Sequence, residues 1–346
     1  MSHTPIPTML DTAPLDPALA GFLAQAAAQG NPPLESLPPP VARQVYRDLA
    51  AGLGLPAPAI ASANDRVIDG PGSPLTLRIY QPGAQGPLPL LLYVHGGGFV
   101  IGDLETHDKV CRTLCHHVAA VVVAVDYRLA PEHPFPAAVD DVACALRWVA
   151  AHAHALGADP SRIALAGDSA GAQLAAVAAL RAAGAAAPHA PRALGLIYPV
   201  AQHYSEPSPS MLENGEGKFL TNGVMQWFID CYLGGRQELA RHADFALLHS
   251  QALATLPPTW LATMGHDPLR DEGHALAQRI AEAGVPTEHR HYPGAIHACI
   301  HFTALSPLGS QVMGDLAGWL RAQLSPRFPY SAPEDVVSFQ PPPRVL

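Results

Sequence analysis

Lysine is nearly absent from this chain: Lys109 and Lys218 are the whole supply. Charged residues of every kind make up only 14% of it, and Asp plus Glu outnumber Lys plus Arg by 29 to 20, for a formal net charge of −9. No basic stripe is present to neutralise phosphates, which excludes nucleic acid as the main partner. Cysteine is scarce too. The five residues Cys111, Cys115, Cys144, Cys231 and Cys299 are odd in number and irregularly spaced. They make no disulfide framework and fit a reducing compartment. Cys111 and Cys115 stand one helical turn apart, but no second pair of soft ligands accompanies them, so they read as buried thiols and no metal is expected. Long apolar runs are missing as well. The longest, Val118 to Val125, is far too short to cross a bilayer, so no membrane insertion is expected. The N-terminal stretch has Asp11, Asp16 and several prolines but no basic start, unlike a signal peptide. The expected location is the cytoplasm.

What remains is the composition of a globular protein, 346 residues long and 49% hydrophobic. Asp16-Pro17 is an N-cap followed by proline at the first helical position, and Leu19, Phe22, Leu23 and Ala26 follow at helix spacing. Gly30 to Pro33 ends that helix. Val41, Val45 and Leu49 predict a second one, stopped at Gly52. From about residue 65 the pattern turns to strands. "DRVID" and "LTLRIY" flank a Pro-Gly turn and predict a hairpin. Apolar runs follow at 88–94, 119–125, 162–167, 193–199, 258–264 and 287–293, with helix-length segments between them at 137–156, 170–183 and 272–283. Runs apolar on both faces, alternating with helices, predict an α/β fold with a mostly parallel, doubly wound sheet. Segment 202–250 interrupts that rhythm. It carries a helical stretch capped by Thr221 and stopped by Gly234-Gly235, and it is expected to join residues 1–55 in a helical cap over the main domain, 56–325. Residues 326–346 form a proline-rich C-terminal tail.

One serine sits where packing gains nothing from a hydroxyl. In "RIALAGDSAGAQL" it falls between an apolar run and a helix-forming segment, as Gly167-Asp168-Ser169-Ala170-Gly171. G-x-S-x-G has a steric reason: a sharp strand-to-helix turn brings backbones together, so the flanking positions must be small. Such a turn lifts the hydroxyl into the open, at the sheet edge where ligands bind in α/β folds. A plain helix cap from Asp168 or Ser169 would use the same residues. Context separates the two readings. A serine hydroxyl is a poor nucleophile without a base, an orienting acid and donors for an oxyanion. "YVHGGGFVIGD" ends the third apolar run, and its glycines let N–H groups face a ligand; Gly97 and Gly98, with the Ala170 N–H, would make a three-donor hole. A phosphate-binding loop would need a helix directly after the glycines and usually a lysine, and has neither.

The acid is expected just beyond the 258–264 run, at Asp267, with Pro268 shaping the turn. Asp271 and Glu272 are rivals that fall at a helix start, where carboxylates commonly face the helix dipole. The base is one of 18 histidines. His289 and His291 alternate in a strand and read as structural. His297 follows Pro293-Gly294 on a loop able to return to Ser169. His301 reads as helix surface or packing. The order Ser169, Asp267, His297 is that of the α/β hydrolases.

At this point the chain resembles the hormone-sensitive-lipase-like family of α/β-hydrolases, in particular its bacterial carboxylesterases. The matching pieces are "HGGGFVIGDLETHD", "VDYRLAPEHPFPAAVDD", "GDSAG", "LIYP", "DPLRDEG" and "YPGAIH", in that order over residues 93 to 297. "ENGEGKFLT" and "MQWFIDCYL" resemble that family's cap. The resemblance implies a serine carboxylesterase acting on short- to medium-chain acyl esters, without cofactor or metal. It implies Ser169, Asp267 and His297 as triad and Gly97, Gly98 and Ala170 as oxyanion hole. The partner implied is a small-molecule ester, and the chain is expected as a monomer or homodimer. A lactonase, thioesterase or amidase would use the same machinery, and a small-molecule receptor is a further reading of the same fold. The family often has glycine where Ala172 stands, and Gly-Phe in place of Ala298-Cys299. Trp227 and Phe228 are candidates for the acyl pocket or for cap packing.

Overall fold

The computed structural model describes residue 10, residues 13–184 and residues 190–326. Asp11 and nearly all of the proline-rich tail therefore lie outside the described residues. Eight strands form one sheet: β1 (Ser62–Ile68), β2 (Leu75–Gln81), β3 (Leu88–Val94), β4 (Val121–Asp126), β5 (Ala158–Asp168), β6 (Ala193–Ile197), β7 (Thr259–His266) and β8 (Thr287–Ile296). Their order across the sheet is β1-β2-β4-β3-β5-β6-β7-β8. β2 pairs antiparallel with both β1 and β4, and every pairing from β4 onward is parallel. The hairpin and the six apolar runs are all strands.

The central strands are buried on both faces because consecutive residues of their runs are apolar. Leu90, Leu92 and Val94 of β3 pack with Val139 and Val142 of α4 (Ala137–His152) and with Leu174 and Val177 of α5 (Ala170–Gly184). Leu91 and Tyr93 face the other way, toward Leu114 and Val118 of α3 (Asp108–Val118) and Leu316 and Leu320 of α9 (Pro307–Gln323). Both layers exclude water, and at roughly 1.5–3 kcal/mol per large buried side chain they dominate stability.

The N-terminal helices are α1 (Pro17–Ala28) and α2 (Pro39–Leu53). Asp16 caps α1, its carboxylate accepting from the N–H groups of Ala18 and Leu19 at 3.0 and 3.1 Å. α2 runs one residue past Gly52, and its face differs from the one expected. Val41 and Val45 are 47% and 44% exposed, while Ala42, Tyr46 and Ala50 are buried. Small residues at 42 and 50 let the helix approach closely, and Tyr46 has a specific partner below. In segment 202–250 lie α6 (Pro209–Asn214) and α7 (Asn222–Leu233). Thr221 Oγ1 accepts from the Val224 N–H at 3.2 Å, and Gly234 ends α7 in the left-handed region at φ 63°. α8 (Arg270–Glu282) packs beside β7 and β8.

The "DYRLAPE" segment ties the loop after β4 to two helices. The Arg128 guanidinium grips buried Asp141 with two bonds of 2.8 Å, fixing the loop after β4 to α4. Glu132 holds Arg43 of α2 at 2.9 and 2.6 Å.

Close backbone packing lies under the serine turn. A Cβ on Gly171 would come within 2.1 Å of the Val94 carbonyl oxygen and 2.3 Å of that of His95. Both are backbone and cannot rotate away. Gly171→Ala is therefore expected to destabilise the protein by at least the ~1–3 kcal/mol typical of overpacking, read as a lower urea midpoint. An unchanged midpoint would contradict this packing.

Candidate active site

Ser169 occupies the single step between β5 and α5. Its backbone is left-handed, at φ 54°, and so its hydroxyl stands clear of both elements. His297 follows β8. Its Nε2 lies 2.9 Å from Ser169 Oγ, and its Nδ1 lies 2.7 Å from Asp267 Oδ2. An ionised carboxylate only accepts, so Nδ1 carries the proton and Nε2 is left to accept from the serine hydroxyl. Asp267 follows β7 and is fully buried; its other oxygen accepts from the Leu269 N–H at 2.8 Å, which fixes its orientation. The three residues thus meet at the carboxyl ends of three strands.

The glycine loop after β3 lies alongside. Gly97 and Gly98 have φ of 117° and 58°, conformations that favour glycine. Among the described residues, none accepts a hydrogen bond from the N–H groups of Gly97, Gly98 or Ala170. These amides are the free donors that a developing oxyanion requires. A cavity of about 240 Å³ opens here, lined by Ser169, His297, Gly97, Gly98 and apolar residues of α2 and α7. The Phe228 ring from α7 lies so close over Gly98 that a Cβ there would approach it to 2.1 Å. A second cavity, of about 310 Å³, lies between α2, α3 and α9 and contains none of these groups.

The remaining candidates have other work. His289 and His291 both contact Thr263 Oγ1 at 2.9 Å, side by side on β8. Asp271 accepts from the Ser210 N–H at 2.8 Å and pairs with Arg270. Of the two readings of His301, packing is the one the structure shows. His301 is 4% exposed, and its Nε2 lies 3.1 Å from the Tyr46 hydroxyl of α2.

Asp168 is a residue whose role sequence reasoning missed. It does not cap α5. Its Oδ1 accepts from the Tyr93 hydroxyl at 2.8 Å and from the Gly96 N–H at 3.0 Å, and His107 Nε2 lies 3.2 Å away. Burial works to raise its pKa, but His107 and the other partners win and hold it below the usual carboxylate range. His107, Asp168 and His301 place their ligand atoms within 4.8 Å of one another, a donor set that suits a transition metal. Here those atoms are turned to protein partners, so the cluster is a satisfied hydrogen-bond network. The signal was the "THD" of the long first motif, which carries His107.

A serine on a strand-to-helix turn of a mostly parallel sheet, with an acid and a histidine from later strand ends, is the arrangement of an α/β hydrolase. A family profile described as alpha/beta hydrolase fold matches residues 91–301. The esterase LipI of Mycobacterium tuberculosis is 42% identical over 253 residues, 71% of this chain and 78% of LipI. The ethyl acetate hydrolase of Pseudomonas putida is 34% identical over 293 residues, 82% of this chain and 91% of that protein. Among solved structures, the esterase of the archaeon Pyrobaculum calidifontis superposes with a TM-score of 0.84 at 36% identity, covering 90% of this chain and all (100%) of its own. The chain belongs to the α/β-hydrolase-fold family, in its hormone-sensitive-lipase-like branch. It is a carboxylic ester hydrolase.

Glu272, near the start of α8, offers a test of the ground around the acid. It is 2% exposed, and one oxygen accepts from the Ala201 N–H at 2.7 Å. Burial, only partly offset by that bond, pushes its carboxyl up to about 8. Protonated when folded and ionised when unfolded, it costs stability progressively as pH rises from about 4.5 to about 8, and none below. Glu272→Gln is expected to match the wild type in urea unfolding at pH 4 and to exceed it by a few kcal/mol, as an order of magnitude, at pH 8. Equal differences at both pH values would contradict the buried, protonated state.

Proposed function

We propose that Ser169 is the nucleophile, His297 the general base and acid, and Asp267 the residue that orients and charge-balances His297. The observation that carries this reading is the relay of 2.9 and 2.7 Å contacts from Ser169 through His297 to Asp267. As Ser169 Oγ attacks the ester carbonyl carbon, its proton passes to His297 Nε2. The carbonyl oxygen takes the negative charge and is held by the N–H groups of Gly97, Gly98 and Ala170. Collapse of this intermediate breaks the bond to the alcohol oxygen, which leaves with the proton from His297. Water then attacks the acyl-serine, giving its proton to His297, and the acid is released as Ser169 recovers its hydrogen. Each oxyanion donor is worth about 2.7–4 kcal/mol of barrier.

The substrates we propose are small-molecule esters with short- to medium-chain acyl groups. At about 240 Å³ the cavity falls below the roughly 300–1,000 Å³ of pockets that take drug-sized ligands. The likeness to a protein named ethyl acetate hydrolase supports the same reading. The described parts of residues 1–55, with 202–250, act as the cap, since Leu34, Val45 and Leu49 of the first and Phe219, Val224 and Phe228 of the second line the cavity. No helix among the described residues is long and apolar enough to cross a membrane. With five free cysteines, this fits a cytoplasmic enzyme, working as a monomer or homodimer.

Ser169→Ala is expected to lower kcat on nitrophenyl acetate by a factor on the order of 10⁶ with little change in melting temperature; turnover retained at the wild-type rate would place the nucleophile elsewhere. Phe228→Ala is expected to raise the ratio of nitrophenyl octanoate to nitrophenyl acetate turnover on the order of 10-fold. An unchanged ratio would mean that Phe228 serves cap packing alone.

A further inference from the structure

We propose that Asp168 and His107 are positioning residues for ester hydrolysis: a buried, hydrogen-bonded carboxylate and imidazole that hold the oxyanion loop in place through the Gly96 amide. This rests on the reading of Ser169 as nucleophile. Asp168 is 2% exposed and His107 is 1% exposed. A carboxylate so far from water is costly unless it is paired and fully hydrogen-bonded, and packing alone would be served by a neutral side chain. This one is paired with His107 Nε2, at 3.2 and 3.4 Å from its two oxygens, and accepts from Tyr93 and Gly96.

The Gly96 bond links two halves of the site. Asp168 immediately precedes Ser169, and Gly96 immediately precedes Gly97 and Gly98. A Cβ on Gly96 would approach Asp168 Oδ2 to 2.3 Å, so the loop is seated directly on the carboxylate. One side chain therefore sets the distance between the nucleophile's turn and two of the three free amides. The pairing of the carboxylate matters as well. Negative charge develops on the carbonyl oxygen just beyond these amides, and an unpaired carboxylate behind them would oppose it in a low dielectric. His107 Nε2 is turned to both oxygens of that carboxylate, where a donor offsets the field. His95 and His301 nearby are pushed to the neutral form, chiefly by burial, His95 down to about 4 and His301 down to about 3. His301 packs edge-on against His107, ring centres 4.6 Å apart, and Tyr46 of α2 closes the cluster.

The test compares wild type, Asp168→Asn, His107→Gln and the double variant on matched nitrophenyl esters and thionoesters. A thiocarbonyl sulfur is a poor acceptor, so the ester-to-thionoester rate ratio reports on the oxyanion amides and a general loss of folded enzyme leaves it unmoved. Asp168→Asn is expected to lower kcat about 10–100-fold with KM within about twofold, and to lower the ester-to-thionoester ratio. His107→Gln, which takes the imidazole away from the carboxylate, is expected to cost at least as much, and the double variant no more than His107→Gln alone. His107→Gln carries the same test should Asp168→Asn not fold. Unchanged kcat, losses that fall equally on ester and thionoester, or losses that add in the double variant would overturn the proposal. Labelling of the wild type with an organophosphate separates the two levels. An adduct away from Ser169 defeats the underlying reading, whereas an adduct on Ser169 with unaffected variants defeats only the role of the pair.

Discussion

One backbone step governs this molecule: the left-handed conformation of Ser169, at φ 54°. Outside glycine such a conformation costs on the order of 1–3 kcal/mol and persists only where surrounding structure enforces it. The enforcement is visible. The Ser169 N–H donates to the Ile197 carbonyl at 2.9 Å, and its own carbonyl accepts from the N–H groups of Ala172 and Gln173 at 3.1 and 3.2 Å. Gly167 and Gly171 give the turn room, since a Cβ on either would meet backbone within 2.6 Å. From this step the neighbouring groups take their directions. Asp168 points back into the sheet, the Ser169 hydroxyl points out, and the Ala170 N–H is left without an acceptor among the described residues.

The other groups arrive because the sheet is parallel at its centre. β3, β5, β7 and β8 all end at the same edge, so the loops that follow them converge without long connections. The β7–β8 pairing slips between Met264 and His266, immediately before Asp267. The N-terminal segment then ties both late loops. The Asp16 N–H donates to the Gly294 carbonyl at 3.0 Å, ahead of His297, and His266 Nε2 lies 3.0 Å from the Ala13 carbonyl, ahead of Asp267. The residues before α1 thus brace the acid and base loops, while α2 and α7 line the cavity above them.

Much of this was legible in the sequence, for local reasons. The central strands were readable as short apolar runs bounded by breakers and the first two as a hairpin around a Pro-Gly turn, and β3 matches its run residue for residue. Ser169, Asp267 and His297 could be singled out because each follows a strand end in a fixed order. His289 and His291 could be set aside from alternation alone. What escaped depends on contacts between distant parts of the chain. α9 was not assigned because Gly309, Gly314 and Gly318 weaken its helical pattern, and neighbours supply its stability. The face of α2 was misread because Ala42 and Ala50, small rather than apolar in bulk, are what the domain accepts. The partners of Asp168 and His301 escaped because periodicity says nothing of a partner on another element.

The account stands on three free amides facing the space beside the Ser169 hydroxyl. The most direct measurement is a crystal structure of the protein inactivated by a small alkyl phosphonate, which mimics the charged tetrahedral intermediate. The predicted result is phosphorus bonded to Ser169 Oγ, with one phosphoryl oxygen within hydrogen-bond distance of the Gly97, Gly98 and Ala170 nitrogens. Phosphorus on another residue, or an adduct on Ser169 whose oxygens all point away from the glycine loop, would contradict it.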